Sequence, residues 1–320
     1  MSQSDYLVER RALTRKLSFW RIAAIAAVIG AVLALGLRWS GFRGAPLTPH
    51  IARISIDGMI LGDKKTLDLV KQVAKSNAAG VILSIDSPGG TVTGSEKLYD
   101  ELRRLAEKKP TVALANNIAA SGAYVAALAA DHIVSYDNSI VGSIGVLMNI
   151  PNVSKLLDTI GVKMEEIKSS PLKAAPDGLV PTSEEARKAA DALIRDSFAW
   201  FRDLVKQRRK MSEDEIAAVA DGRVFTGRQG VPLKLVDELG GERAAIAWLE
   251  QQKGVAKGMP VRDWKPKSSI DALGIFGRAA GLAQFLGLPE VAAALQRGEA
   301  RTGPVALDGI LAIWQGSTLK

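Results

Sequence analysis

The chain has 320 residues, of which 47% are hydrophobic and 24% are charged, enough to bury one large core. It has no cysteine and only two histidines, His50 and His132, so a thiol nucleophile is excluded and a metal site would lack its usual ligands. The net charge is +8, but the basic residues form no long run interleaved with aromatic residues, which argues against nucleic-acid binding. The sequence predicts no metal, no other cofactor and no nucleic-acid partner.

A membrane anchor is predicted near the N-terminus. Residues 22–37 are uninterruptedly apolar, and Trp20 and Trp39 flank a stretch that would span roughly 30 Å as a helix, about the thickness of a bilayer core. The preceding segment carries Arg10, Arg11, Arg15, Lys16 and Arg21. The positive-inside rule therefore places residues 1–21 in the cytoplasm, the anchor at 22–39 and the remaining chain outside. A cleaved signal peptide is the alternative, although no clean Ala-x-Ala site follows, and a buried soluble helix is a further one.

Strands and helices alternate after a linker at residues 40–49. The predicted strands are Ile51–Ile56, Val81–Ile85 and Val112–Ala115, separated by helical segments at Lys64–Lys75 and Ser95–Lys108. Strands that alternate with helices are typical of an α/β fold with a mostly parallel sheet and crossover helices. We therefore predict one globular domain over residues 50–264.

The second half of that domain continues the mixed pattern. Helices are predicted at Ala123–Ala130, at Val153–Ile160, from a capping box at Thr182–Glu185 to about Arg209, and from a second capping box at Ser212 to Ala220. Further short strands are predicted at Ile133–Ser135, Ser143–Met148 and Val162–Ile167. Residues 265–320 form an extension rich in Gly, Ala and Leu, which could be a helical cap on a partner subunit, a membrane-surface segment or a flexible peptide.

Two loops follow strands and could build one cleft. Asp86-Ser-Pro-Gly-Gly90 comes directly after a strand, and its glycines, Gly89 and Gly90, could turn the backbone and present N–H groups to a ligand. Ser121 also follows a strand and opens a helix, where its own N–H and that of Gly122 could stabilise an oxyanion by about 3–4 kcal/mol per donor. The alternatives are a simple tight turn and an ordinary N-cap serine.

If Ser121 is a nucleophile, its base is an amine, because the two histidines fit catalysis poorly. His132 begins an apolar strand and is interpreted as structural, and His50 is interpreted as a solvent-exposed linker residue. Lys173 is the candidate base. A lysine can act so only when it is neutral, which requires burial to lower a pKa of about 10.4 to near 7 or 8. Ser143 could hold this amine by a hydrogen bond from or to its hydroxyl; otherwise Lys173 is a solvated lysine and Ser143 an ordinary strand-end serine.

Five motifs in order resemble the signal peptide peptidase A family, the membrane-bound serine–lysine peptidases of bacteria. They are Asp86-Ser-Pro-Gly-Gly90, Ala119-Ala-Ser-Gly122, Gly142-Ser-Ile-Gly-Val146, Lys168-Ser-x-x-x-Lys173 and Asp221-Gly-Arg-Val-Phe-Thr-Gly-Arg228. The resemblance covers roughly residues 50 to 250. Ala123 is a mild departure, because the family often has a second glycine at that position.

The resemblance implies a fold of the Clp-protease and crotonase type and a serine endopeptidase. By this resemblance Ser121 is the acyl-forming nucleophile, Lys173 its base, Ser143 the residue that positions the lysine, and Gly89, Gly90 and Gly122 the oxyanion region. It implies that the substrates are cleaved signal peptides or other apolar peptides at the bacterial inner membrane, with the catalytic domain periplasmic or extracytoplasmic. The short form of the family assembles into a homo-oligomeric ring in which serine and lysine come from neighbouring subunits.

Three other functions remain open. A crotonase-type enzyme would use the same two-loop oxyanion site on an acyl thioester, although crotonases are commonly soluble and use carboxylates. A non-catalytic scaffold of the same fold would tolerate the loss of Ser121 or Lys173. A membrane protease of the stomatin-partner type is a close neighbour of the first hypothesis.

Overall fold

The computed structural model of the protein describes Trp20, residues 48–266 and residues 311–313. The predicted anchor, the N-terminal segment and most of the C-terminal extension lie outside these residues. In the described part, no helix is both long and apolar enough to cross a membrane. All described residues except Trp20 belong to one compact unit.

The described residues form one nine-stranded sheet and eight helices. The strands are β1 His50–Ile60, β2 Ala78–Thr91, β3 Thr111–Ala120, β4 His132–Ser135, β5 Ile140–Gly142, β6 Val224–Thr226, β7 Glu238–Leu239, β8 Val261–Trp264 and β9 Leu311–Ile313. The helices are α1 Lys64–Ala74, α2 Val92–Ala106, α3 Gly122–Ala127, α4 Ser154–Thr159, α5 Glu184–Arg209, α6 Glu213–Val219, α7 Gly227–Gly230 and α8 Glu242–Lys253.

The sheet is mixed and mainly parallel, as the alternation of strands and helices predicts. Its order is β6-β5-β3-β2-β1-β8, with β4 paired to β3 and β7, and β9 paired to β2. The β5–β6 and β2–β9 pairs are antiparallel, and the others are parallel. The carboxyl ends of β1, β2, β3 and β5 therefore meet at one edge, where open α/β sheets bind ligands.

Helices cover the two faces of the sheet unequally. The larger core cluster packs α1, α2, α3 and the C-terminal part of α5 against one face, with Tyr124 and Phe201 as its largest fully buried side chains. The smaller cluster packs Ala245 and Leu249 of α8 against the other face. Neighbouring residues of a strand pack into different clusters because their side chains point to opposite faces of the sheet. Leu83, for example, belongs to the larger cluster and Ile82 to the smaller one.

Several local predictions were wrong. Asp86–Gly90 is not a turn, since β2 continues through it to Thr91. The strand predicted at Ser143–Met148 does not form. The observed strand β5 lies before it and ends at Gly142, because Ser143 has a positive φ of 53°. No strand forms at Val162–Ile167, where the chain has no partner strand and Ile167 is fully exposed.

Helix and tail boundaries also shift. The N-cap of α5 is Ser183 and not Thr182, because the Ser183 hydroxyl accepts the N–H of Ala186. The capping box from Ser212 to Glu215 is confirmed. In the C-terminal extension, Leu311–Ile313 pairs as a strand with Gly89–Thr91, which none of the three options for this segment included.

Candidate active site

Ser121 lies in a sharp turn between β3 and α3. Its backbone has φ 55° and ψ −121°, a conformation that costs a non-glycine residue of order 1–3 kcal/mol and that persists only where the surrounding structure enforces it. Strained strand-to-helix turns of this kind hold the nucleophilic serine in α/β hydrolases. The backbone therefore distinguishes Ser121 from an ordinary N-cap, and its side chain makes no capping hydrogen bond.

The Ser121 hydroxyl is buried and has no partner. The residue is 1% exposed, and its Oγ is a buried side-chain polar atom without a hydrogen bond in the described structure. A buried hydroxyl without a partner costs about 1–3 kcal/mol, so ordinary packing does not explain its presence. The group is therefore available to a second reactant.

One backbone hydrogen bond joins Ser121 to the end of β5 directly before Ser143, and a second joins Ser143 to the residue before β6. The Ser121 N–H donates to the Gly142 carbonyl at 2.8 Å, and the Ser143 N–H donates to the Arg223 carbonyl at 2.9 Å. Strand β6, which belongs to the predicted motif Asp221–Arg228, pairs with β5 from the other side. The structure thus brings Ser121 and Ser143 to adjacent strand ends, and the Asp221–Arg228 motif braces them within the chain.

The candidate oxyanion donors differ in their availability. The N–H of Ser121 is committed to Gly142, and that of Gly89 donates to the Ser87 hydroxyl at 3.1 Å. Gly122 is the first residue of α3, where a backbone N–H has no acceptor within its own helix. Gly90 lies in the strand ladder opposite Ile60, so close that a Cβ would lie 1.9 Å from the Ile60 carbonyl oxygen. Among these four residues, Gly122 is therefore the one whose N–H lies at a helix N-terminus.

Lys173 does not contact Ser121 within this chain. It is exposed, and the hydroxyl of Ser121 has no partner. Lys173 lies on a segment that we call the lysine arm, residues 151–181, which contains α4 and is closed at its base by the Val153 N–H to Gly178 carbonyl bond. The structure therefore assembles one half of the predicted pair and leaves the lysine on the surface.

Backbone strain nevertheless marks Ser121 and Ser143, and the residue that follows Lys173. In the described part of the chain, five residues other than glycine have a positive φ: Ser121, Ser143, Ala174, Lys210 and Lys234. Lys210 is the C-cap of α5, a position where the left-handed conformation is common. Of the other four, two are predicted site residues and Ala174 follows Lys173 directly. Such clustering is typical of functional sites.

The helix that carries Ser121 is anchored by residues that the sequence analysis missed. The fully buried Tyr124 donates its hydroxyl to the Leu235 carbonyl at 2.8 Å, and burial raises the pKa of this phenol well above its usual range. Arg208 donates to the carbonyls of Leu128 and Ala130, and Arg103 donates to that of Ala129. The only sequence signal was a tyrosine in a run of alanines, and the two arginines are distant in sequence.

The two histidines have structural roles, and the interpretation of His50 as an exposed linker residue was wrong. His50 is fully buried at the start of β1, where Nδ1 contacts the Thr48 carbonyl at 2.9 Å and Nε2 accepts the indole N–H of Trp264 at 3.1 Å. His132 stacks on Trp248 with ring centroids 4.8 Å apart and contacts Glu238, in agreement with a structural residue. Neither histidine is placed to serve Ser121 as a base.

Comparison with known proteins supports a peptidase. A protein of Synechocystis sp. that is named as a putative protease is 37% identical over 207 residues, 64% of this chain and 75% of that protein. A chloroplastic serine protease of Arabidopsis thaliana named SPPA is 32% identical over 206 residues, 63% of this chain but only 30% of that protein. An Enterococcus faecium protein named as a putative signal peptide peptidase SppA is 31% identical over 189 residues, 58% of this chain and 55% of that protein.

The family model that matches is that of peptidase family S49, over residues 103–256. The matched region contains Ser121, Ser143 and Lys173, the motif Asp221–Arg228, and the helix α3 with its three anchoring residues. The chain belongs to peptidase family S49.

Proposed function

We propose that the protein is a membrane-anchored serine endopeptidase in which Ser121 attacks the peptide carbonyl and Lys173 of a neighbouring copy takes the Ser121 proton. The observation that carries the proposal is the strained, buried hydroxyl of Ser121, which lacks a partner beside a helix N-terminus. A nucleophile of this kind needs an adjacent base, and no candidate base within the described part of the chain contacts it. A lysine from a second copy would fill that role.

The lysine arm is suited to dock on a second copy. Its exposed large apolar side chains are Leu156, Ile160, Val162, Met164, Ile167, Leu172 and Leu179, half of the fourteen such residues in the described structure. A concentration of exposed apolar side chains on one segment is typical of a protein–protein interface. Docking would also bury Lys173, and burial favours the neutral amine that a general base requires.

The reaction would follow from this arrangement. The Ser121 Oγ would form a bond to the peptide carbonyl carbon as its proton passes to the lysine, and the Gly122 N–H would stabilise the oxyanion. The protonated lysine would then give its proton to the leaving amine, and water would hydrolyse the acyl-enzyme. Ser143 would orient the lysine amine.

The end of β2 at Gly89–Thr91, which we call the glycine strand, favours a peptide as the substrate. Gly89–Thr91 accepts an extended segment, Leu311–Ile313, in antiparallel pairing beside the turn that carries Ser121. Strand addition of this kind binds a peptide through its backbone and so tolerates varied side chains. We propose apolar peptides, such as cleaved signal peptides, at the outer face of the bacterial inner membrane. An anchor at residues 22–39 would keep the site at that membrane, with the N-terminus in the cytoplasm.

A mixing experiment tests the shared site. The full chain in detergent is assayed on a Leu- and Ala-rich signal peptide as wild type, Ser121→Ala, Lys173→Ala and Lys163→Ala. Lys163 is an exposed lysine of the same arm and is the matched control. We expect the first two variants to lose at least 1,000-fold in kcat/KM, Lys163→Ala to keep its activity, and a co-assembled mixture of the two inactive variants to recover part of it.

Two outcomes would contradict the proposal. Full activity in either Ser121→Ala or Lys173→Ala would refute the proposed pair. No recovery in a mixture that demonstrably co-assembles would place both residues of the site in one chain.

A further inference from the structure

A cavity of about 490 Å³ lies at the carboxyl end of β1, outside the residues proposed for catalysis. Its apolar wall includes Ile56, Ile60, Leu67, Leu98 and Trp264. These residues come from β1, α1, α2 and β8, so the cavity lies between four elements of the main unit. Its volume is within the range of small-molecule binding sites.

One carboxylate on the wall of this cavity has no partner. Asp57 makes no hydrogen bond or ion pair with any residue that the structure describes, and its pKa is raised, first by partial burial and then by the nearby charge of Asp86. The charge of Lys265, also on the wall, opposes this shift but is a smaller influence. Asp63 lines the cavity as well, but both its oxygens accept hydrogen bonds from Thr66. Asp57 is therefore the free anionic group of the cavity.

The two aspartates are held side by side by a short repeat. The tripeptide Ser-Ile-Asp occurs in β1 at residues 55–57 and in β2 at residues 84–86, and parallel pairing places Asp57 opposite Asp86. Asp86 accepts a hydrogen bond from Asn117 at 2.6 Å, which stabilises the negative charge of Asp86 but not that of Asp57. Like charges opposite each other on neighbouring strands are destabilising, so this arrangement favours a bound cation.

We propose that this cavity is a substrate pocket for a lysine or arginine of the peptide, with its aliphatic stem against Ile60 and Leu98 and its cationic end at Asp57. Long basic side chains bury an apolar stem and present a charge at the tip, which matches a cavity with an apolar wall and a free carboxylate. The inference rests on the proposed peptidase function. It adds a preference for a basic residue to an enzyme that otherwise acts on apolar peptides.

The strand spacing gives the approximate span from the cavity to Ser121. Ile60 of the cavity wall pairs with Gly90, and β2 lies between β1 and the strand that leads to Ser121. Two strand spacings are roughly 10 Å, and an extended peptide advances about 3.3 Å per residue. A peptide paired with Gly89–Thr91 would have to leave this strand and run past the end of β2 toward β1, so its basic residue would lie about three positions from the bond that is cleaved.

A positional scan tests the pocket. A cleavable apolar peptide is made with a single lysine at each position in turn, and each peptide is compared with its norleucine counterpart, which keeps the stem and removes the charge. The enzymes are the wild type, Asp57→Asn and Asp196→Asn, the last being an exposed carboxylate of α5 that serves as the matched control. We expect wild type and Asp196→Asn to prefer lysine about fivefold in kcat/KM at a position near the third residue, and Asp57→Asn to lose this preference.

The result can be separated from failure of the catalytic proposal. Binding of the fluorescently labelled lysine and norleucine peptides is also measured on the Ser121→Ala chain, with and without Asp57→Asn. Lysine selectivity in this assay that disappears with Asp57→Asn would support the pocket even if no peptide were cleaved. No lysine preference at any position in either assay, or a preference that persists in Asp57→Asn, would overturn the inference.

Discussion

Ser121 combines two local features that oppose stability. Its backbone occupies a conformation disfavoured for every residue except glycine, and its hydroxyl is buried without a hydrogen bond. Ser139 is the instructive contrast: it is 2% exposed, but its hydroxyl donates to the carbonyls of Ala115 and Asn116. Two buried serines in one domain thus have opposite energetic roles, because one hydroxyl has an acceptor and the other does not.

We expect Ser121→Ala to raise the free energy of unfolding by about 1 kcal/mol, because it removes a desolvated hydroxyl that has no partner. Ser139→Ala is the control and should lower the same quantity by about 1–2 kcal/mol, since two carbonyls lose a donor. Urea unfolding of the two variants measures both changes. A destabilised Ser121→Ala would mean that the hydroxyl has a stabilising partner in the folded chain.

Helix α3 is short, and its position depends on contacts at both ends. At its N-terminus the Ser121 N–H bonds to β5, and beyond its C-terminus Arg208 and Arg103 donate to three successive carbonyls. Carbonyls at a helix C-terminus lack intrahelical partners, and cationic donors there also interact favourably with the helix dipole. The orientation of the serine is therefore set by α2 and α5 as well as by its own turn.

Arg208→Met tests this anchoring at the level of the element. It keeps most of the apolar stem but leaves the Leu128 and Ala130 carbonyls without a donor, so we expect a loss of about 1–3 kcal/mol in the free energy of unfolding. We also expect kcat to fall more than KM changes, because α3 carries the nucleophile. Arg195→Met on the exposed part of α5 is the control and should change stability by less than about 0.5 kcal/mol. Equal behaviour of the two variants would argue against the anchoring role.

At the scale of the whole molecule, the lysine arm is an exposed apolar surface that carries Lys173. Its side chains are not part of either core cluster, and Ile167 is fully exposed. In the proposed assembly, the arm would serve both as the interface and as the carrier of the base. Assembly and activity should then be lost together.

Ile167→Asp is expected to weaken self-association about tenfold or more, because it places a charge in an interface that would bury an isoleucine. Activity should fall in parallel, while the free energy of unfolding of the isolated chain should change little. Sedimentation velocity and peptide cleavage over a series of protein concentrations measure the first two. Leu239→Asp, at an exposed leucine of β7 outside the arm, should leave the assembly intact. Unchanged association in Ile167→Asp would remove the arm from the interface.

The sequence by itself determined the α/β class, the parallel sheet and the turn that carries Ser121, because strand and helix periodicity and the order of the motifs are local properties. It failed where local pattern competes with tertiary contacts. At Val162–Ile167 the apolar–polar alternation extends only to Glu165, and the segment finds no neighbouring strand. His50 looks like a linker residue but lies buried against Trp264. The repeated Ser-Ile-Asp became meaningful only when strand register placed its two aspartates together.

Tertiary structure alone decided how the candidate site is distributed. It joined Ser121 and Ser143 through Gly142, committed the Ser121 and Gly89 N–H groups to other acceptors, and left Lys173 exposed on the arm. Hydrogen bonds between residues distant in sequence depend on the register and twist of the whole sheet, which no local pattern records. The sequence therefore identified the residue types of the candidate site, whereas the fold decided which of their N–H groups and side chains are free to react.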